Sequence, residues 1–247
     1  MTGASGRRRA DILLVERGVF ESRARARAAI EAGLVQADGV PIARPSDRIA
    51  PDSEIAADAP HPWVSRGGVK LAAALDAFAI DIAGRECLDV GASTGGFTDV
   101  LLARGARRVV AVDVGRGQLH PKLADDPRVS KHEGTDARDL TCLVEPCSMD
   151  IVTVDVSFIS LRLVVPKLAQ FMKDGAQLIA LVKPQFEVGR DGIGKGGIVR
   201  DADKGRAAVG AVVAAIGEIG LTVLGTMPSP IPGGDGNREV LVAARRG

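Results

Sequence analysis

The feature that most narrows the fold is an alternation along the second two-thirds of the chain. From Glu86 onward, short runs rich in Val, Ile and Leu recur, and helix-sized segments separate most of them. The runs are Glu86–Val90, Arg108–Asp113, Val129–Glu133, Asp150–Val154, Gln177–Val182, Leu221–Thr226 and Glu239–Ala243. Runs of this length are strand-sized, and strands that alternate with helices build a doubly wound α/β sheet. The pattern predicts seven strands in such a sheet. Tyrosine is absent and aromatics make up 3% of the chain, so the core must be aliphatic. Stacking of bases on an aromatic platform is for the same reason not expected to be the main binding mode.

The first 60 residues read differently. Asp11–Arg17 and Ser22–Ala32 look like two short helices, with Ser22 as N-cap and Gly33 ending the second. Strand-like pieces follow at Leu34–Ala37 and Ile42 around an Asp38-Gly39 turn, and Ile49–Ala56 reads as another strand. Residues 7–27 hold seven arginines against three acids, an excess of +4 in a chain whose total is +1. A local basic patch on a near-neutral body points to one polyanion-binding surface. A solvated, salt-bridged helix face would give the same charge run. The division expected is a small domain over 7–60, a proline-stiffened linker over 61–64, and the α/β domain over 65–247.

Cys87, Cys142 and Cys147 are odd in number and lack zinc-type spacing. They are expected to be reduced thiols of a cytoplasmic protein, with no metal required. The basic start lacks an apolar run after it, unlike a secretory signal. The longest helical apolar run, Ala207 to Gly217, is too short to span a bilayer, so no membrane partner is expected.

Ligands of open α/β sheets gather at the carboxyl ends of the strands. The first predicted strand ends in Asp89-Val90-Gly91-Ala92-Ser93-Thr94-Gly95-Gly96-Phe97, the second in Asp113. Asp136 stands just past the third, Asp155 after the fourth, and Lys183 after the fifth. One polar strand end means little, but five together are hard to explain as turns. The glycine loop is not GxGxxG, which removes the nicotinamide reductases. Its DxGxxxGG form, with an acid 18 residues beyond Gly95, suits an adenosine ribose and leans toward a methyl donor. Gly189 to Gly196 fits seven positions of a phosphate-binding loop, but Gly196 stands where Ser or Thr must hold magnesium, and no helix opens there. It reads as a glycine-rich lid or substrate-contact loop, or equally as a plain surface loop.

The basic two-helix start, the short linker with Trp63, SRGGVKL, DVGASTGGFTD, AVDVGRGQL, DVSFISL, LVKPQFE, GKGG and NREVLV span nearly the whole chain. Together they make it resemble the TlyA-type ribosomal RNA 2′-O-ribose methyltransferases, often labelled haemolysins. These join an S4-like RNA-binding domain to an FtsJ-like, Rossmann-type class I methyltransferase domain whose last strand is antiparallel. The resemblance implies a catalytic Lys-Asp-Lys-Glu set at Lys70, Asp155, Lys183 and Glu239. It implies S-adenosylmethionine at Asp89, Gly91, Ala92, Ser93, Gly95, Gly96 and Phe97, with Asp113 on the ribose and Asp136 on the adenine. It implies ribosomal RNA as partner, met by Arg7, Arg8, Arg9, Arg23, Arg25, Arg27 and Arg66. Phe97 could equally be core, and Asp136 a helix cap.

The chemistry gives that set a reason. A ribose hydroxyl is a weak acid, and a lysine removes its proton only as a neutral amine, a form favoured by desolvation and neighbouring positive charge. Lys70 would supply that charge and orient the hydroxyl, Lys183 would be the base, and Asp155 and Glu239 would hold the two lysines. Two rivals are a cytolysin, which nothing in the sequence supports, and an RNA-binding protein with a dead methyltransferase domain, against which the complete tetrad argues.

Overall fold

The computed structural model describes residues 6–57, 61–189, 192–233 and 236–247. Arg190 and Asp191, within the glycine-rich loop, lie outside them. The chain divides into two compact units, Met1–Pro62 and Trp63–Gly247.

The first unit runs β1 (Arg8–Arg9), α1 (Ala10–Glu16), α2 (Arg23–Glu31), β2 (Val35–Ala37), β3 (Val40–Pro41), β4 (Arg48–Ile49) and β5 (Ile55–Ala57). Ser22 caps α2, its hydroxyl accepting from Arg25 N at 3.3 Å. The β2–β3 hairpin turns at Asp38 and Gly39 with φ of +52° and +75°, the pair of positive angles that an Asp-Gly turn supplies. Leu14, Ala26, Ala29 and Ile30 pack on Val35, Ala37 and Ile42 to form the core. The single strand expected over Ile49–Ala56 is instead two. β4 pairs with β1 and β5 with β2, because Pro51 has no amide to continue a ladder and starts a turn.

Asp11 is fully buried in this unit and accepts from Arg9 Nε at 3.0 Å and Arg23 Nη2 at 2.8 Å. Two of the arginines expected to meet RNA thus also hold the fold, while their side chains stay 44% and 57% exposed. The hydrogen bond from Arg9 holds the Asp11 carboxyl down at about 2, with Arg23 adding to it.

The second unit runs α3 (Gly67–Ala77), β6 (Glu86–Val90), α4 (Gly96–Ala103), β7 (Arg108–Asp113), α5 (Pro121–Ala124), β8 (Val129–Glu133), β9 (Met149–Val154), α6 (Leu161–Leu168), β10 (Met172–Val182), α7 (Ala202–Glu218), β11 (Leu221–Pro228) and β12 (Val240–Arg246). Seven strands form one sheet in the order β11-β12-β10-β9-β6-β7-β8. β12 is antiparallel to both neighbours, and β10, β9, β6, β7 and β8 are mutually parallel. Cys87, Val109, Ile151, Ile179, Leu181 and Leu241 bury one face under side chains of α3, α4 and α5. Leu88, Val110, Val152, Leu178 and Val242 bury the other under α6 and α7. Trp63 belongs to this unit, seated on Gly68, where an added Cβ would lie 2.4 Å from the indole. Among the described residues no helix is long and apolar enough to cross a membrane, and all three cysteines are free.

Asp11 gives the first unit a pH signature. A carboxyl with a depressed folded-state pKa contributes stability above its unfolded value, and that contribution is lost as pH falls through the folded one. Protection of the α1 amides from hydrogen exchange should therefore drop as pH falls from the ordinary aspartate value of 3.8 toward about 2. Asp11→Asn should weaken protection at neutral pH and remove that dependence. Unchanged exchange in the variant would contradict the role given to the buried carboxylate.

Candidate active site

Side chains alternate between the two faces of a strand, so residues two apart share a face. Ile151, Thr153 and Asp155 fall on one face of β9 and its extension. Ile179, Leu181 and Lys183 do so on β10, and Glu239, Leu241 and Ala243 on β12. The apolar members of these series pack against the α3 face, which is the face that carries Lys70. The β10–β12 register ends at Val182↔Val240; one step further sets Lys183 opposite Glu239. Strand period and register thus deliver three charged residues, remote in sequence, to one place, and α3 brings Lys70 as the fourth.

There they form two pairs. Lys70 Nζ donates to Glu239 Oε2 at 2.5 Å, with side chains 9% and 3% exposed. Charges this buried are tolerated only when paired. Lys183 Nζ lies 2.7 Å from Asp155 Oδ1. That contact is off-axis and leaves Oδ1 without a hydrogen bond, whereas Lys183 does donate to Ser157 Oγ at 2.8 Å. Lys70, Asp155 and Lys183 line a cavity of about 190 Å³ together with Ser65, Gly91 and Gly96.

A larger cleft of about 450 Å³ adjoins it, and Gly91, Ser93, Asp155 and Ser157 line both. It opens where strand order reverses, between β6 and β9, as expected for a ligand site in such a sheet. Gly91 has φ +84°, and a Cβ there would stand 2.4 Å from Asp155 O; the loop passes the exit of β9 with no room for a side chain. Asp113 Oδ2 accepts from Ser93 N and its Oδ1 from Gly115 N, both at 2.7 Å. This rigid carboxylate lines the larger cleft with Asp136, whose carboxyl Arg138 holds down at about 2. Ala92 and Phe97 line the smaller cavity, Phe97 also being core.

Two residues expected on the cofactor do not reach either cavity. Asp89 is fully buried, its oxygens taken by the hydroxyls of Thr98 at 2.7 Å and Thr153 at 2.9 Å. It ties β6 to α4 and β9 beneath the loop. Gly95 has φ +98°, and its α-carbon faces Leu119 and Leu123, so it serves as the left-handed N-cap of α4. Burial raises the Asp89 carboxyl to about 6, against the lowering pull of the two hydroxyls. Part of the basic patch is paired with acids at the surface. Arg8 pairs with Glu16 and Arg25 with Glu21, while Arg7 and Arg27 are exposed. Arg66 donates to Pro232 O at 2.6 Å. Sequence reasoning did not assign Ser157, Gln118, Thr135 or Ser65, which also line the two cavities. Small polar residues carry no motif weight alone; only the strand exit two positions before Ser157 marked it.

Two family models match the chain, one on each unit. Residues 63–246 match the family described as FtsJ-like methyltransferase, and residues 8–55 match the S4 domain. The chain is 46% identical over 241 residues to the 16S/23S rRNA (cytidine-2′-O)-methyltransferase TlyA of Mycobacterium tuberculosis, covering 97% of this chain and 90% of that protein. It is 36% identical over 234 residues to Hemolysin A of Brachyspira hyodysenteriae, covering 94% and 98%. A solved structure from Streptococcus thermophilus, provisionally titled a hemolysin, superposes with a TM-score of 0.76 at 40% identity, covering 99% of this chain and 90% of that one.

The buried Asp89 makes a sign-definite prediction. Its folded-state pKa of about 6 lies above the ordinary 3.8, so its contribution to stability is full below the lower value and shrinks as pH rises through the higher. Denaturant unfolding of wild type and Asp89→Asn across that window should show wild type losing ground as pH rises, then a constant difference. A difference that stays flat from acid to neutral pH would refute the buried protonation.

Proposed function

The chain belongs to the FtsJ-like methyltransferase family with an S4 domain ahead of it, and from that premise we propose that it methylates a ribose 2′-hydroxyl of ribosomal RNA. The observation that carries this reading is the doubled lysine–carboxylate arrangement, Lys70–Glu239 and Lys183–Asp155, around one small cavity beside a larger cleft. The cytidine riboses of 16S and 23S RNA are the substrates named for the Mycobacterium tuberculosis relative, and we carry that class to this chain. Assembled subunits in the cytoplasm are the setting we assign.

S-adenosylmethionine, when bound, supplies an electrophilic methyl group on a sulfonium sulfur. The residues fit it by donor chemistry. In the larger cleft the Asp113 carboxylate, already fixed by two backbone amides, keeps lone pairs for ribose hydroxyls, and Asp136 suits the adenine amino group. The backbone at Gly91, Ser93 and Gly96 would border the methionine end. In the smaller cavity Lys70, anchored by Glu239, orients the target hydroxyl and meets the negative charge that grows on its oxygen. Lys183, acting as a neutral amine, would take the proton of the target hydroxyl as that oxygen becomes the nucleophile. Arg7, Arg8 and Arg27 on the first unit would meet phosphates, which position RNA and do not read sequence.

Lys183→Ala should abolish methyl transfer to unmodified ribosomal subunits, a loss of at least about 100-fold for a missing general base, while S-adenosylmethionine binding by calorimetry stays nearly intact. Asp113→Ala should weaken that binding first. Loss of cofactor affinity as the main effect of Lys183→Ala contradicts the assigned role. RNA affinity should fall steeply as salt rises; a salt-independent affinity would sink the phosphate-contact reading of the arginines.

A further inference from the structure

The loop leaving β9 carries a hydroxyl that the reaction above does not use. Ser157 lies two residues past Asp155, and its Oγ accepts from Lys183 Nζ at 2.8 Å. It lines both the larger cleft and the smaller cavity, at the place where the two meet. The Asp155 contact to the same nitrogen is equally short at 2.7 Å but lacks hydrogen-bond geometry. Asp155 therefore supplies charge, and Ser157 supplies direction.

Direction matters for an amine that must accept a proton. A lysine nitrogen has three tetrahedral positions beyond its bond to Cε. In the ammonium all three carry hydrogens; in the amine two do, and the third is the lone pair. An unrestrained amine spins about Cε–Nζ and spreads its lone pair over all three. With one N–H held on Ser157 Oγ, free rotation about Cε–Nζ stops, the nearby Asp155 charge draws the second N–H to its own side, and the lone pair is left the position that we assign to the small cavity, which Lys183 lines. A neutral hydroxyl is suited to the task, because a second carboxylate in its place would hold the lysine charged.

We propose that Ser157 is a positioning residue that fixes the rotation of Lys183 Nζ so that its lone pair meets the ribose hydroxyl; this rests on the ribose reading above. The step balances: the ribose O–CH₃ bond forms, the S–CH₃ bond breaks, and the hydroxyl proton passes to Lys183. Ser157 keeps its own proton throughout. Because it touches the base and not the reacting atoms, its loss should change turnover and leave binding alone. Ser157 is exposed, so truncation removes a contact without opening the core.

The test uses the full chain with S-adenosylmethionine and purified, unmodified ribosomal subunits, comparing wild type, Ser157→Ala, Ser157→Thr and Lys183→Ala. Ser157→Ala should lower kcat by roughly 10- to 100-fold, the scale of a misaligned reacting group, with KM for donor and RNA within about twofold of wild type. Ser157→Thr, which keeps the hydroxyl, should recover most of the turnover. An unchanged kcat in Ser157→Ala overturns the proposal while leaving the ribose reading in place, since wild type still labels ribose and Lys183→Ala does not. A loss that appears as a matching rise in KM, or that Thr does not recover, also overturns it. Wild type that labels no ribose overturns both.

Discussion

The two-residue alternation of side chains along a strand underlies the whole site. β9, β10 and β12 turn alternate residues to the α3 face, Ile151 and Thr153, Ile179 and Leu181, Leu241 and Ala243. Continuing the same parity past the strand ends, Asp155, Lys183 and Glu239 emerge on that face. α3 packs there and brings Lys70. A slip of one residue in any of these strands would send its charged residue to the opposite face. The apolar positions that hold the registers therefore also hold the geometry of the two lysine–carboxylate pairs. Gly91 completes the arrangement, because β6 and β9 are neighbours and their exits crowd: only a residue without a side chain fits against the Asp155 carbonyl.

That arrangement carries an energetic cost that stability alone does not explain. Lys70 and Glu239 are nearly fully removed from water. A buried ion pair gains little net stability over packed apolar side chains, while removing one partner leaves an uncompensated charge. Lys70 also sits in the first turn of α3, where a cation opposes the helix dipole. Two unfavourable placements at one residue are better explained by chemistry than by folding. The Asp11 cluster in the first unit is the contrast. There Arg9 and Arg23 converge on a buried carboxylate, and the outcome is a structural knot.

Much of this was legible in the sequence because strand period and turn chemistry are local. All seven strands of the large sheet stand where the apolar runs put them, with bounds moved by a few residues except in β10, which begins at Met172. Ser22 caps its helix, and Asp38-Gly39 makes the hairpin turn. The break in Ile49–Ala56 had a local signal too, Pro51, which the apolar run outweighed. What stayed hidden depends on partners far along the chain. Asp89 sits in a ligand-loop motif, yet Thr98 and Thr153 claim its oxygens from α4 and β9. Arg9 and Arg23 read as RNA contacts until Asp11 is seen buried between them. Ser157 is an ordinary serine until β10 places Lys183 beside it.

The measurement that bears most directly on the central claim is the chemical position of the transferred methyl group. Ribosomal subunits lacking the modification would be incubated with the full chain and S-adenosylmethionine, and their RNA digested to nucleosides for mass spectrometry. The account predicts 2′-O-methylcytidine, with the methyl on the ribose fragment. A methyl group on the base, or no product although the donor binds, would contradict it.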